Sequence, residues 1–332
     1  MSHYHIYGIG AALVDTEIEV TDNDLNNYQI EKGVMTLVDE ARQNELIDHL
    51  SKHLIASKRA SGGSAANTII GASYFGANNF YSCKVAADDN GHFYLNDMKA
   101  AGVSTTSIAS NDGITGKCLV MITPDAERTM NTFLGASETI STTEIDEEAL
   151  QQSQYVYIEG YLVTSETGKA AAIELRQLAE KHQIKTAFTL SDPTMVQFFD
   201  NGLREMIGNR VNLLFSNRDE ALGFTKTDNI NDAIEAMKQY ADKFAITLGN
   251  EGAIIFDGEQ LLNIAPHTVN AIDSNGAGDI FAGAFLYGIT HGYSDQEAGD
   301  LASVASAQVV SQYGPRLKPE QYQEVMKKAL AL

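Results

Sequence analysis

Short apolar runs alternate with longer amphipathic ones along most of the chain, and this rhythm limits the fold more than any other feature. The strand-like runs are residues 3–10, 79–86, 154–160, 185–191, 211–217 and 243–249. Helix-like segments lie between them at 64–75, 91–102, 167–183 and 231–243. The runs are nearly continuous in apolar residues, which suits strands buried on both faces of a parallel sheet. Alternation of this kind predicts a doubly wound α/β architecture, a mostly parallel sheet with helices on both faces.

Two segments break the rhythm. Residues 15–37 are polar and irregular and end in the strand-like GVMTLV. Residues 115–135 read as two strands joined at Pro124-Asp125. Two readings fit the pattern: a small β-sheet lid, or two unrelated surface hairpins. With a lid, the large domain comprises 1–14, 38–114 and 136–332, and the lid 15–37 and 115–135. Late in the chain, residues 252–264 read as a hairpin about Asp257-Gly258, followed by helical stretches at 280–292, 295–314 and 319–332.

The totals exclude some classes. The net charge is −21, from 23 basic and 44 acidic residues. Such a field repels nucleic acid and anionic lipid, so no partner of either kind is expected. An anion that binds must be gathered locally, by backbone amides, a few cations or a metal. There is no run of about 18 apolar residues, the length of a membrane span. The two cysteines, Cys83 and Cys118, are expected as free thiols, and a cytoplasmic location follows.

The stretch DSNGAGD (273–279) stands directly before an apolar, helix-like run. Free N–H groups and partial positive charge gather at a helix start, and glycines there admit a ligand to the backbone. Gly276, Ala277 and Gly278 therefore read as an anion cradle. Asp279 has two readings: an acid satisfied by the helix dipole, or a general base acting on a hydroxyl. No Gly-Lys-Ser/Thr occurs, so a P-loop is absent. Phe281 and Leu13 stand where the two GxG sequences would need a third glycine, which disfavours a dinucleotide-binding oxidoreductase.

DSNGAGD resembles the DTxGAGD signature of the ribokinase-like (PfkB) carbohydrate and nucleoside kinases, with Ser274 in place of threonine. Four further elements follow the family's order: Asp15 in GAALVD, GGSAAN (62–67), SNRDE (216–220) and TLGNEGA (247–253). The resemblance spans nearly the whole chain. It implies the ribokinase-like fold with a small β lid, and ATP-dependent phosphorylation of an alcohol. It makes Asp279 the catalytic base and Gly276, Ala277 and Gly278 the anion hole. Asp15, Gly62, Gly63 and Asn67 would bind the acceptor, with the diglycine as hinge; the local alternative is a strand–helix turn capped by Ser64. Thr247, Gly249 and Gly252 would border ATP. Asn217 and Glu220 would support Mg²⁺ through water; read locally, they are a polar loop after a strand.

Arg128 and Lys117 are the basic residues of the 115–135 strands. Arg128 is expected to close over the transferring phosphoryl group, against the alternative of a solvated partner for Glu127 or Asp125. KGVMTLVDEAR (32–42) and ERTMNTFLGAS (127–137) resemble the adenosine-kinase-like branch. Met35, Leu37, Leu134 and Tyr161 would then form an apolar slot for a base, although such residues also serve as plain core. Kinases of furanose sugars such as fructose or ribose would use the same Asp15, Asn67 and Asp279. A binding regulator without catalysis is the non-enzyme alternative. The resemblance also brings in K⁺, with carbonyls near Asp273 and in 311–316 as its donors. A monomer or homodimer is expected.

Overall fold

In the computed structural model, residues 3–50, 59–107 and 109–330 are described. The strands are β1 (Tyr4–Ile9), β2 (Leu13–Glu19), β3 (Met35–Leu37), β4 (Ala60–Gly62), β5 (Asn79–Ser82), β6 (Val103–Ser104), β7 (Thr115–Ile122), β8 (Arg128–Gly135), β9 (Ser153–Glu159), β10 (Lys185–Thr189), β11 (Val211–Asn217), β12 (Ala241–Thr247), β13 (Ala253–Phe256) and β14 (Leu261–Ile264). The helices are α1 (Asp22–Asn27), α2 (Glu40–Leu50), α3 (Ser64–Phe75), α4 (Asp89–Ala100), α5 (Glu147–Gln151), α6 (Glu166–Lys181), α7 (Pro193–Ile207), α8 (Arg218–Thr225), α9 (Ile230–Met237), α10 (Ala277–Thr290), α11 (Asp295–Val310) and α12 (Pro319–Leu330). Residues 1–2, 51–58, 108 and 331–332, which fall within the expected large domain, lie outside the described residues.

The expected α/β architecture is present. Nine strands form the main sheet in the order β14-β13-β12-β11-β10-β9-β1-β5-β6. Its pairings are parallel except those that β13 makes with β12 and β14. Side chains alternate between two cores, as strand geometry requires. Ile6, Tyr157, Leu213, Phe215 and Ala245 face the core shared with α3, α10 and α11. Tyr7, Val156, Phe188, Leu214 and Phe244 face the core shared with α6, α7 and α9.

A second sheet has the order β3-β8-β7-β2-β4. Both irregular segments contribute to it, so they are not unrelated hairpins. Two boundaries differ from the expectation. Strand β4 joins this sheet by pairing antiparallel with β2, although Ala60–Gly62 was placed in the large domain. Strand β2 also starts at Leu13, earlier than residue 15. On one face of this sheet, Ile18, Val20, Leu119 and Met121 pack with Leu25 of α1 and Leu46 and Leu50 of α2. On the other face lie Leu13, Cys118, Val120 and Ile122, with Met130 and Leu134 packed on them.

Other boundaries move as well. The helix expected at 231–243 ends at Met237, and β12 starts at Ala241, within the range read as helix. Ala241 is fully buried and pairs with Val211, so sheet pairing outweighs the helical periodicity there. Helix α7 was not anticipated; it starts with Asp192 as N-cap and Pro193 in its first turn, and it runs on through Asn201-Gly202. A Cβ on Gly202 would lie 2.4 Å from Val163 Cγ2, so the glycine serves close packing.

Helices α3 and α10 cross closely. A Cβ on Gly283 would lie 2.5 Å from the Thr68 carbonyl oxygen, and one on Gly71 2.7 Å from Ile280 Cδ1. Gly283→Ala should therefore force the helices apart. Overpacking of this kind costs about 1–3 kcal/mol. Urea unfolding of the variant should show a lower midpoint at unchanged m; an unchanged midpoint would contradict the close crossing.

Candidate active site

The carboxyl ends of the parallel strands open into a cavity of about 470 Å³, roofed by β2, β3, β7 and β8 of the small sheet. This is the usual ligand position in an open α/β sheet, and the volume suits a small molecule. Of the expected site residues, Asp15, Met35, Gly63, Asn67, Arg128, Leu134, Tyr161, Asn217, Glu220, Thr247, Gly249, Gly276, Ala277, Gly278 and Asp279 line it, as does Leu37. Gly62 and Gly252 do not. Gly62 stands behind Asp15, where a Cβ would lie 2.0 Å from a carboxylate oxygen. Gly252, at φ +91, serves the turn between β12 and β13, and a Cβ would meet the Ile264 carbonyl at 2.1 Å.

The glycine-rich bend is shaped by Asp273, which is fully buried. Its Oδ1 accepts the Asn275 N–H at 2.8 Å and its Oδ2 the Gly314 N–H at 2.9 Å. These bonds set the DSNGAGD bend against residues 311–316, the other segment named for K⁺. Gly276 has φ +74, and a Cβ would lie 2.2 Å from the Pro315 carbonyl oxygen. Only glycine fits there. Helix α10 begins at Ala277 with Gly276 as N-cap and no side-chain cap bond. Nothing lies within 4 Å of the Cβ position of Gly278. The first turn thus faces open space, as an anion cradle requires.

Asp279 sits in that first turn, and neighbouring side chains hold both of its oxygens. Ser64 Oγ donates to Oδ1 at 2.7 Å, and Asn67 Nδ2 donates to Oδ2 at 3.0 Å. Burial pushes the Asp279 pKa above the ordinary range, while Ser64, Asn67 and then Arg128 oppose that rise. Ser64 is therefore not the cap of α3. Gly63, at φ +101, holds the N-cap position, and Ser64 is the first helical residue. The Oδ1 of Asn67 is buried and has no hydrogen-bond partner among the described residues. No described residue hydrogen-bonds the Asp15 carboxylate, which burial, then Glu17, drives well above its usual pKa. An unpaired carboxylate and an unpaired amide oxygen fit a ligand that brings hydroxyl donors.

Arg128 reaches in from β8. Its Nη1 lies 3.2 Å from Met130 Sδ. Among the described residues no carboxylate lies within ion-pair distance of it, and Asp125 pairs with Lys32 instead at 2.7 Å. The solvated-pair alternative therefore fails. Burial works against the Arg128 charge, but Tyr161, Asp192 and Asp279 face it and keep its pKa raised.

Asn217 and Glu220 form the capping box of α8. Glu220 N–H donates to Asn217 Oδ1 at 2.8 Å, and Asn217 N–H donates to Glu220 Oε2 at 3.0 Å. The N-x-x-E spacing is itself a capping signal that the polar-loop reading passed over. Burial raises the Glu220 pKa to about 8, and among the described residues no cation pairs with it. A buried carboxylate in that state fits a nearby hydrated cation.

Several cavity residues were not anticipated. Glu159 ends β9, is fully buried, and accepts the Ala11 and Ala65 N–H groups at 2.6 and 2.8 Å. Burial pushes its pKa to about 7. A lone acid closing the apolar run YVYIE was the available signal. Asp192 accepts from Tyr161 Oη at 3.4 Å, and its Asp-Pro pair marked a helix start. Ser64 carried only the signal of a helix cap, and Asn275 and Ser216 had none of their own.

The glycine bend, the buried acid and the unpaired acceptor groups meet in one cavity, as phosphoryl transfer requires. Over residues 38–321 the chain matches the pfkB family of carbohydrate kinases. It belongs to that family. The adenosine kinase of Sinorhizobium meliloti is 32% identical, with a TM-score of 0.90 over 99% of both chains. A probable sugar kinase from Rhizobium etli CFN 42 is 30% identical, with a TM-score of 0.93 over all of both chains. The adenosine kinase of Saccharomyces cerevisiae is 27% identical over 94% of this chain and 96% of the yeast protein. The chain is thus an ATP-dependent sugar or nucleoside kinase with the ribokinase-like fold, on the adenosine-kinase-like branch.

Glu17 allows a pH test of the site's electrostatics. Burial, then Asp273, raises its pKa from 4.5 to about 7. A raised carboxyl pKa means the folded state holds a proton that the unfolded chain has lost, so the stability contribution is complete below pH 4.5 and declines up to about pH 7. Glu17→Gln should remove that decline. Its stability relative to the unsubstituted protein should rise between pH 5 and 8 in urea titrations; a pH-independent difference would refute the assignment.

Proposed function

We propose that the protein phosphorylates the primary hydroxyl of a ribonucleoside, adenosine first, using ATP. One observation carries this reading: Asp279 lies in the first turn of α10 beside the open cradle at Gly278, with both oxygens held by Ser64 and Asn67. Asp279 takes the proton from the acceptor hydroxyl. The freed oxygen bonds to the γ-phosphorus of ATP, the bond to the β–γ bridging oxygen breaks, and ADP leaves. Partial burial in the cavity brings the carboxyl pKa nearer working pH, which strengthens it as a base.

The first-turn N–H groups after Gly276 receive the negative charge of the transferring phosphoryl group. Arg128 adds a cation from the small sheet, which acts as a lid that excludes water. Thr247 and Gly249 border the nucleotide. Asn217 and Glu220 would hold Mg²⁺ through its water shell, and the ion would supply charge neutralisation at the phosphates. Asp15 and the Asn67 Oδ1 take the ribose hydroxyls, and Gly63 lets the acceptor approach α3.

Adenosine is favoured by the Sinorhizobium relative and by the apolar wall of Met35, Leu37, Leu134 and Tyr161. The Rhizobium relative supports a second reading, a furanose sugar on the same Asp15 and Asn67. Free, buried Cys83 and Cys118 suit a reducing cytoplasm.

The test is ADP release with adenosine, other nucleosides, ribose and fructose as acceptors. Adenosine should give the highest kcat/KM. Turnover of sugars alone would move the reading to the furanose kinase, and no turnover of any acceptor would defeat it. Asp279→Asn should lower kcat about 10²–10⁴-fold, the usual worth of a general base. ATP should still raise the melting temperature of that variant. Full activity in the variant would remove Asp279 from the base role.

A further inference from the structure

The second glycine of Gly8-Ile9-Gly10 has no positive φ to explain it. A buried acid supplies the reason. A Cβ on Gly10 would lie 2.5 Å from Glu159 Cδ and 2.6 Å from Glu159 Oε2. Glu159 ends β9 and is fully buried. Both of its oxygens are spent on backbone: Oε1 accepts the Ala11 N–H at 2.6 Å, and Oε2 accepts the Ala65 N–H at 2.8 Å.

Those two amides stand where the chain crosses between the sheets. Ala11 lies between β1 of the main sheet and β2 of the small one. Ala65 is the second residue of α3, just after Gly63 joins that helix to β4 of the small sheet. The crossings touch, since a Cβ on Gly63 would lie 2.4 Å from the Ala11 carbonyl oxygen. Tyr81 Oη donates to that carbonyl at 3.0 Å, and Ser137 Oγ accepts the Ala12 N–H at 2.9 Å. Helix α3 has no side-chain cap of its own, because Gly63 is its N-cap. The carboxylate from β9 takes that role, favoured by the dipole of the first turn. Ala65 stands between Ser64 and Asn67, the two residues that hold Asp279.

We propose that Glu159 is a positioning residue for the base: its carboxylate staples both crossings and sets the first turn of α3, and through Ser64 and Asn67 the aim of Asp279. The proposal rests on the reading of Asp279 as the base. Two N–H donors need two acceptor oxygens. The ionised acid supplies both, while the protonated acid turns one oxygen into a donor. Near neutral pH Glu159 is divided between the two forms, since burial pushes its pKa from 4.5 up to about 7 against the Ala11 and Ala65 bonds. The titratable groups that face it are Asp279 of α10, Tyr81 of β5, Tyr94 of α4 and Tyr157 of β9, and none is a cation. A carboxyl pKa raised in the fold makes a stability contribution that is complete below pH 4.5 and declines up to about 7. Ionisation of Glu159 therefore costs stability while it completes the staple.

The test is Glu159→Gln, which keeps the shape of the acid and offers one acceptor oxygen. It is assayed from pH 6 to 8.5 with ATP and the best acceptor of the panel above. At pH 8 kcat should fall about ten- to a hundredfold, the worth of one hydrogen bond to a charged group. In the unsubstituted protein kcat/KM should rise through about pH 7, and that rise should be absent in Glu159→Gln. The urea midpoint of the variant at pH 8 should be no lower than that of the unsubstituted protein, because the amide removes a buried charge. Independently of turnover, the Ala65 amide can be followed by NMR in alanine-¹⁵N-labelled protein and assigned by its loss in Ala65→Gly. Its signal should shift with a midpoint of about 7, should still shift in Asp279→Asn, and should stay still in Glu159→Gln. An Ala65 amide that does not move, an acid limb that survives in Glu159→Gln, or matched losses of stability and kcat would each overturn the role of Glu159. Full activity in Asp279→Asn would instead end the base reading and this proposal with it, even with the Ala65 titration intact.

Discussion

The site depends on how closely α3 and α10 approach each other. Both helices begin at the cavity, one with Ser64 and Asn67, the other with Asp279. The two hydrogen bonds to Asp279 span 215 and 212 residues of sequence. They form only because glycines at 71 and 283 let the backbones meet. A wider crossing would leave the acid buried and unpaired, at the cost that attends any lone buried charge. Helix packing and acid geometry are therefore one constraint in this fold.

A chain carrying 44 acidic residues against 23 basic ones still builds a site for a polyanion. It does so by keeping several buried carboxyls near neutrality. Burial is the chief cause that pushes the Glu17 and Glu159 carboxyls up to about 7 and that of Glu220 up to about 8. Positive potential then comes from fixed sources: the start of α10 and Arg128. Local dipoles outweigh the long-range field because they act at contact distance in a dry place.

Much of this was legible in the sequence, for physical reasons. The central strands are buried on both faces, so their apolar runs stood out, and the glycine bend needs residues that nothing else replaces. Less visible was whatever depends on partners distant in the chain. Gly62 and Gly252 read as ligand-contacting glycines, yet one makes room for Asp15 and the other for the Ile264 carbonyl. Ser64 read as a cap because serine often is one, while its hydroxyl is taken by an acid on another helix. Strand β4 is three residues long and has no periodicity to detect; its place is set by pairing with β2. The Asn217–Glu220 box shows the opposite case, where a motif tied to function also carries an ordinary helix-start signal.

The two faces of the small sheet are dressed differently. The outward one is sealed by α1 and α2, which supply their own leucines, so the sheet and these helices make a slab with its own filling. Such a slab keeps its outer core dry without help from the main sheet. The inner row of Leu13, Cys118, Val120 and Ile122 has a different duty, for Leu13 and Cys118 border the cavity itself.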